Sequence, residues 1–174
     1  MKIRPEKETD YNKINDFVKT AFRTAKVTHG DEHDYVERNR TRGYVPELAL
    51  LCEDQDRNII GYIMLVETTL LHESVEKTVL LAGPLAIRQE DRKKGIGHRL
   101  IQDTLSRAID LGYDLVFLAG DPAYYSHFGF KAIGDYGISC TLDIPDELQP
   151  GLMLLELREG AAKGYDGAVV TYYT

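Results

Sequence analysis

The segment 83–112 constrains the fold more than any other part of the chain, because three patterns follow one another there without a break. Residues 83–87 end an apolar run that suits a strand. Residues 88–99 are basic and contain glycines at positions 95 and 97. Apolar residues then recur with helical period from Ile96 until Gly112 ends the pattern. The segment therefore predicts a strand, a glycine loop and an amphipathic helix in direct succession.

The loop has the opposite charge to the rest of the chain. The whole protein has 21 Lys and Arg against 28 Asp and Glu, which gives a net charge of −7. Residues 88–99 carry five basic and two acidic side chains, so this stretch is +3 and the remainder is −10. Glycines let a ligand approach the backbone, and a helix N-terminus offers unpaired N–H groups and the positive end of its dipole. These features together predict an anion site, most naturally for phosphate.

Two common nucleotide motifs do not match this loop. A Walker loop has four residues between its glycines and a Lys-Ser/Thr pair after the second glycine, and neither feature is present. A dinucleotide fingerprint needs a third small residue, but Leu100 stands at that position. A nucleic acid would have to lie across the acidic remainder of the protein, so we expect no nucleic-acid partner.

The other elements indicate one domain that mixes strands and helices. A polar linker and an internal repeat are both absent from the 174 residues, so we expect a single domain over residues 1–174. Helices are expected at 14–22 and 34–40, with a short one beginning at Pro122. Strands are expected at 2–4, 47–52, 59–71, 77–87, 114–119, from 130, at 152–157 and at 167–173.

Two motifs in this order resemble those of a known family. The loop Arg92-Lys93-Lys94-Gly95-Ile96-Gly97 resembles the Q/R-x-x-G-x-G/A motif of the GNAT superfamily of acyl-CoA-dependent N-acetyltransferases. The later segment 124–130 resembles the family's Tyr-x-x-x-Gly-Phe motif, in a form similar to that of bacterial predicted N-acetyltransferases. The resemblance implies a GNAT fold of the α+β class, with a mixed, mostly antiparallel sheet flanked by helices.

The resemblance also implies an enzyme that uses acetyl-CoA as co-substrate. It would transfer the acetyl group to a primary amine by direct attack in a ternary complex, without a covalent acyl-enzyme. Backbone N–H groups from Arg92 to Gly97 would hold the pyrophosphate, and backbone groups of Leu85 and Ile87 would pair with the pantetheine arm. The residues expected to bind the cofactor are Leu85, Ala86, Ile87, Arg92, Lys93, Lys94, Gly95, Ile96, Gly97, His98 and Tyr125.

Two residues are candidates for proton transfer. By resemblance, Tyr125 matches the tyrosine that protonates the departing thiolate, and a phenol with a pKa of about 10 is a donor at neutral pH. The alternative is that its ring only packs. Glu67, on the long strand, is the candidate base for the amine proton, and a solvent-facing role is the alternative. His72 and Glu73 could serve if that strand ends differently.

One departure from the family pattern leaves a second function open. Many relatives carry an Asn shortly before the short helix, whereas this chain has Gly120-Asp121-Pro122, in which Asp121 suits an N-cap. An acyl-CoA-binding sensor or interaction module without transfer activity is therefore the alternative function.

The remaining sequence features give further expectations. His29 and His33 are four residues apart, but no third ligand has supporting spacing, so we expect no metal. The family resemblance implies that this region lines the acceptor site, so its acidic residues indicate a cationic acceptor; the alternative is that this charge run is only a solvated face. Cys52 and Cys140 match no metal or redox spacing; the sequence leaves a single disulfide open, but two buried thiols in a reducing compartment are the simpler interpretation.

Targeting and assembly give two more expectations. The chain has neither a signal-like apolar start nor an apolar run of membrane length, so we expect a cytoplasmic protein with no membrane partner. The late strands near Leu152 and Val169 resemble open sheet edges, which leaves a homodimer open.

Overall fold

The computed structural model describes residues 1–24 and 30–173, which contain nine strands and four α-helices. The strands are β1 (Lys2–Pro5), β2 (Tyr44–Glu53), β3 (Ile59–His72), β4 (Val75–Ile87), β5 (Leu115–Ala119), β6 (Lys131–Ala132), β7 (Ser139–Cys140), β8 (Leu152–Glu156) and β9 (Val169–Val170). The helices are α1 (Tyr11–Phe22), α2 (Glu32–Asn39), α3 (Ile96–Asp110) and α4 (Pro122–Tyr125). The mixed, mostly antiparallel sheet with flanking helices confirms the expected α+β class.

One compact unit consists of Met1–Val66 and Gly83–Ala108. Its strands β1, β2 and the first part of β3 pair antiparallel, and residues 60–66 are buried on both faces. The two faces are distinguished by neighbouring residues of β3. A Cβ at Gly61 would meet Leu100 of α3 at 2.8 Å, whereas the hydroxyl of Tyr62 donates to Glu6 on the opposite side. Gly61 thus lets α3 lie close to the sheet in this unit.

A buried carboxylate organises the other side of this unit. Both oxygens of Glu6 accept hydrogen bonds from the Arg40 guanidinium, at 3.0 and 2.8 Å. The hydroxyls of Tyr44 and Tyr62 each donate to Glu6 at 2.9 Å. Arg40 directly follows α2 and also stacks on the Tyr11 ring of α1, 3.8 Å from its centroid. The cluster therefore joins both helices to β2 and β3 through one charge pair that is shielded from solvent.

Replacing Glu6 with glutamine should lower the free energy of unfolding by about 3 to 5 kcal/mol, because the change leaves the buried Arg40 charge unpaired. Urea denaturation measures the loss. The matched control is Glu8→Gln, which removes an exposed carboxylate two residues away and should cost little. Equal stability of the two variants would contradict the importance of the Glu6 cluster.

The second unit consists of Glu67–Ala82 and Ile109–Thr174, of which residue 174 is not described. Here β4 pairs with β5 in parallel, with Leu80 opposite Val116 and Leu81 opposite Phe117. Strand β8 pairs antiparallel with both β5 and β6. Strand β9 pairs antiparallel with β3 and parallel with β7. The parallel connection from β4 to β5 contains α3, because parallel strands require a long connection between them.

Three expectations differ from the structure in detail. The strands near Leu152 and Val169 are not open edges, because β8 and β9 each have a neighbour on both sides. The last strand covers only Val169–Val170 instead of 167–173, since Gly167 turns the chain with a φ of 81°. Cys140 is half-buried, whereas Cys52 is buried as expected, and both thiols are free.

None of the helices that the structure describes could cross a membrane.

Candidate functional site

The glycine loop turns sharply before α3 begins. Lys93 and Gly95 both have left-handed backbone conformations, with φ values of 64° and 80°. A Cβ at Gly95 would meet nothing within 4 Å, so the conformation and not crowding requires glycine there. Lys93 has the same left-handed conformation although it carries a Cβ, which disfavours it. The loop therefore contains backbone strain, as is common at binding sites.

Four backbone N–H groups of the loop have no hydrogen-bond acceptor among the described residues. Across residues 1–24 and 30–173, the N–H groups of Lys93, Gly95, Ile96 and Gly97 make no hydrogen bond. Further along the first turn of α3, the N–H of Arg99 donates to Gly95 O at 3.1 Å. Because these donors stand at the N-terminus of a 15-residue helix, the positive end of the helix dipole reinforces them. An anion with several oxygens fits this arrangement.

The two other donors of the predicted set are already engaged. The N–H of Arg92 donates to Gln89 O at 3.3 Å, and that of Lys94 donates to Asp91 O at 3.4 Å. These short-range bonds close the turn before the helix. The unused donors therefore lie on either side of Lys94 and not along the whole loop.

Asp91 anchors the base of the loop, a role that sequence reasoning missed. It is only 8% exposed, accepts a hydrogen bond from Lys94 Nζ at 2.9 Å, and also binds the Arg88 guanidinium. The Lys94 ammonium, and after it Arg88, holds the pKa of the Asp91 carboxyl below its usual value. The carboxylate is stabilised at neutral pH, and that stabilisation is lost only as the pH falls through the lowered pKa. The spacing of three residues between Asp91 and Lys94 is the sequence feature from which this ion pair could have been predicted.

The basic side chains of the loop have different surroundings. Lys93 is exposed and makes no ion pair among the described residues, so its charge is available to a ligand. Arg92 instead donates to three backbone carbonyls, of Ala21 at 2.6 Å, Thr24 at 2.8 Å and Ile87 at 3.4 Å. Its guanidinium is thus directed at the end of α1. His98 is exposed on the first turn of α3.

Strand β4 is irregular just before the loop. Gly83 and Ile87 should face the same side of a regular strand, since they are four residues apart. A Cβ at Gly83 would meet the ring of Tyr35 from α2 at 3.1 Å, whereas Ile87 Cδ1 lies 3.2 Å from the corresponding position of Gly61, on the α3 side. The alternation is therefore broken between them, which indicates a β-bulge.

The backbone of Ile87 is directed away from β3. The next residue, Arg88, donates its N–H to Ile60 O at 3.0 Å, and consecutive residues alternate in direction along a strand. The side chain of Ala86 is 2% exposed, while Leu85 and Ile87 are half-buried. In the second unit, the last paired residues of β4 and β5 are Leu81 and Phe117.

Tyr125 is the last residue of α4, and its hydroxyl has no hydrogen-bond partner among the described residues. Its half-buried ring packs edge-on against Phe130 at 5.8 Å and against Tyr124 at 5.1 Å. The hydroxyl makes no hydrogen bond within the described part of the chain. Burial, reinforced by Tyr124 and Asp121, raises the pKa of Tyr125 above its usual value. The phenol therefore stays protonated at neutral pH.

The residues before α4 set the position of that ring. A Cβ at Gly120 would lie 2.4 Å from Tyr125 Cε2, so only glycine leaves room for the ring. Asp121 accepts from Ala123 N at 2.9 Å, which makes it the N-cap of α4, and Pro122 is the first helical residue. The Gly-Asp-Pro sequence thus has a local structural reason.

Glu67 is held by a partner that the sequence did not suggest. The hydroxyl of Tyr113, which follows α3, donates to Glu67 Oε1 at 2.6 Å. Glu67 is half-buried, so it is not a freely solvated strand residue. Of its two alternatives, His72 contacts Asp166 O through Nε2 at 3.0 Å, and Glu73 lies in the β3–β4 turn with a φ of 48°.

The histidine pair is only partly described. His29 lies outside the described residues, and His33 contacts the Asp34 carboxylate at 3.4 Å. In residues 1–24 and 30–173, no three His, Cys, Asp or Glu side chains are grouped as metal ligands would be.

The sequence is similar to known proteins over most of its length. A family model described as "Acetyltransferase (GNAT) domain" matches residues 2–133. The chain is 27% identical over 143 residues to the "Uncharacterized N-acetyltransferase YhbS" of Escherichia coli K12, covering 80% of this chain and 79% of that protein.

Two solved structures have the same fold. The GNAT family N-acetyltransferase YhbS from Escherichia coli, in complex with CoA, has a TM-score of 0.83 and 24% identity, covering 99% of this chain and 89% of that chain. A GNAT family acetyltransferase from Brucella melitensis, in complex with acetyl-CoA, has a TM-score of 0.70 and 25% identity, covering 89% and 86%.

Proposed function

The chain belongs to the family of GNAT acetyltransferases, and on that premise we propose that it transfers an acetyl group from acetyl-CoA to a primary amine by direct attack in a ternary complex. The observation that carries the proposal is the set of unused donors at Lys93, Gly95, Ile96 and Gly97, in a loop of net positive charge. The relatives crystallised with CoA and acetyl-CoA support the same ligand. The two free thiols suit a reducing compartment, and we propose a cytoplasmic enzyme.

The loop would bind the pyrophosphate of the co-substrate. Its unused N–H groups supply directional hydrogen bonds, and Lys93 adds a positive charge that forms no ion pair within the described part of the chain. Lys94 and Arg92 would contribute mainly by holding the turn, because their side chains bind Asp91 and the end of α1. No hydrogen bond within the described residues has to break before these donors meet the phosphates, which favours binding.

Strand β4 would hold the pantetheine arm. The backbone groups of Leu85 and Ile87 would pair with its amides as an added strand would. The direction of the Ile87 backbone away from β3 supports this assignment. The half-buried apolar side chains at both positions would cover the arm.

The chemical step needs an acid and a base. Acetyl-CoA supplies an activated acyl thioester, so the amine nitrogen forms the new C–N bond as the C–S bond breaks. Tyr125 would donate its hydroxyl proton to the departing sulfur, which its raised pKa permits throughout the neutral range. Glu67 would accept the proton lost by the amine, with Tyr113 fixing its carboxylate.

A screen of amines tests the proposal. Purified protein is first titrated with acetyl-CoA and then incubated with small amines, amino acids, aminoglycosides and lysine peptides while released thiol is measured. Amine-dependent thiol release is expected. Binding of acetyl-CoA without turnover on any amine would favour the sensor, and absence of binding would contradict both functions.

Reversing the charge of Lys93 should weaken acetyl-CoA binding. We expect Lys93→Glu to raise the Kd about 10-fold or more, since a hydrogen bond to a charged group contributes roughly 1.5 to 3 kcal/mol. Calorimetric titration measures the change, which should shrink at high salt. The matched control is Lys13→Glu, the same charge change at an exposed position of α1. Equal Kd values for both variants would refute the role of Lys93.

A further inference from the structure

Arg92 connects the loop to the C-terminal end of α1. The last carbonyls of a helix have no partner within it and carry the negative end of its dipole. Arg92 donates to Ala21 O, in the last turn of α1, at 2.6 Å, and to Thr24 O, two residues beyond the helix, at 2.8 Å, through separate guanidinium nitrogens. The planar guanidinium suits such paired contacts, and its charge strengthens them.

At the loop, Arg92 lies next to residues that are fixed by hydrogen bonds and ion pairs. Arg92 stands between Asp91, which binds Lys94 and Arg88, and Lys93, whose N–H is one of the unused donors. Ile87 O also accepts from Arg92 Nε, at 3.4 Å. A shift of the Lys93 backbone toward an anion therefore acts directly on the position of Arg92.

The other end of the connection continues through α1 to α2 and β4. Asn15 of α1 accepts from Arg40 Nη1 at 3.2 Å and donates to Glu37 of α2. Tyr35 of α2 lies against Gly83 of β4, at the start of the bulge. Loop, α1, α2 and β4 thus form one chain of direct contacts inside a single compact unit.

We propose that Arg92 is a positioning residue that couples ligand binding at the loop to the arrangement of α1 and α2. The proposal rests on the proposed function, because the ligand at the loop is taken to be the phosphate part of acetyl-CoA. Phosphate binding would fix the loop, Arg92 would hold the end of α1, and α2 would be fixed against β4. Coupling is reciprocal, so an acceptor that binds beside α2 would in turn tighten acetyl-CoA binding.

Amide hydrogen exchange tests the connection without any ligand. We expect Arg92→Met to speed exchange in residues 19–24 about 10-fold, because two charge-assisted contacts are lost. Arg92→Lys keeps the positive charge and places its donors on a single nitrogen, so it should restore part of the protection of residues 19–24 from exchange. Arg99→Met removes an exposed arginine on α3 and should leave residues 19–24 unchanged. Unchanged exchange in Arg92→Met would overturn the connection.

The same measurement with saturating CoA tests the coupling. In the natural sequence, CoA should slow exchange both in residues 92–97 and in residues 19–24. In Arg92→Met, the loop should still be protected and residues 19–24 should not. Equal protection of residues 19–24 in both proteins would overturn the proposal. If CoA protects no residue of the loop, the proposed function fails together with the coupling, while the ligand-free result still reports on the Arg92 contacts.

Discussion

Replacing Tyr125 with phenylalanine should lower kcat about 100-fold, the usual contribution of a positioned general acid. The hydroxyl makes no hydrogen bond among the described residues, and the edge-on packing of the ring against Phe130 does not need it. The variant should therefore fold normally and bind acetyl-CoA with unchanged Kd. Steady-state kinetics on an accepted amine, with calorimetry for the Kd, separate the two quantities.

Tyr124→Phe is the matched control for this change. Tyr124 is adjacent and 39% exposed, and its loss should leave kcat within about twofold, as for a surface substitution. The pH dependence adds a second check, because an acid acts only while protonated. Since the pKa of Tyr125 is raised above about 10, kcat of the natural sequence should not decline through this group below pH 10. A kcat for Tyr125→Phe equal to that of the control would remove the acid role.

Gly97→Trp should reduce acetyl-CoA affinity at least about 100-fold, which corresponds to the loss of two charge-assisted hydrogen bonds. Gly97 is the second residue of α3, and its N–H is one of the unused donors. An indole there would occupy the space through which phosphate oxygens reach the loop. Calorimetric titration with acetyl-CoA measures the affinity, and circular dichroism checks that α3 is intact.

Gly97→Ala separates bulk from the loss of glycine. The family motif accepts Gly or Ala at this position, so we expect a Kd within about threefold of the natural sequence. Alanine should also favour the helix slightly, by up to about 1 kcal/mol. Tight acetyl-CoA binding by a folded Gly97→Trp variant would refute the placement of the phosphates at α3.

The loop and its helix were predictable because their signals are local. Gly95 and Gly97, the charge contrast and the helical period after Ile96 lie within one short segment, and the structure has the turn and α3 where the pattern predicts them. The N-cap role of Asp121 was predictable for the same reason, since a cap depends on its immediate neighbours.

Side-chain direction and strand pairing were not predictable in this way. A sequence pattern does not tell that Arg92 turns toward α1, since its carbonyl partners at residues 21 and 24 are distant in sequence. The Tyr113 partner of Glu67 is likewise 46 residues away. Strands β8 and β9 read as open edges because their neighbours are set by long-range pairing, which short apolar runs do not specify.

The most direct test of the account follows single backbone amides during titration with acetyl-CoA. Resolved ¹H–¹⁵N resonances are compared before and after saturation. We predict downfield proton shifts at Lys93, Gly95, Ile96 and Gly97, because each unused N–H gains a phosphate acceptor. The already paired N–H of Arg99 should move less. Saturable binding that leaves all four resonances unmoved would contradict the account.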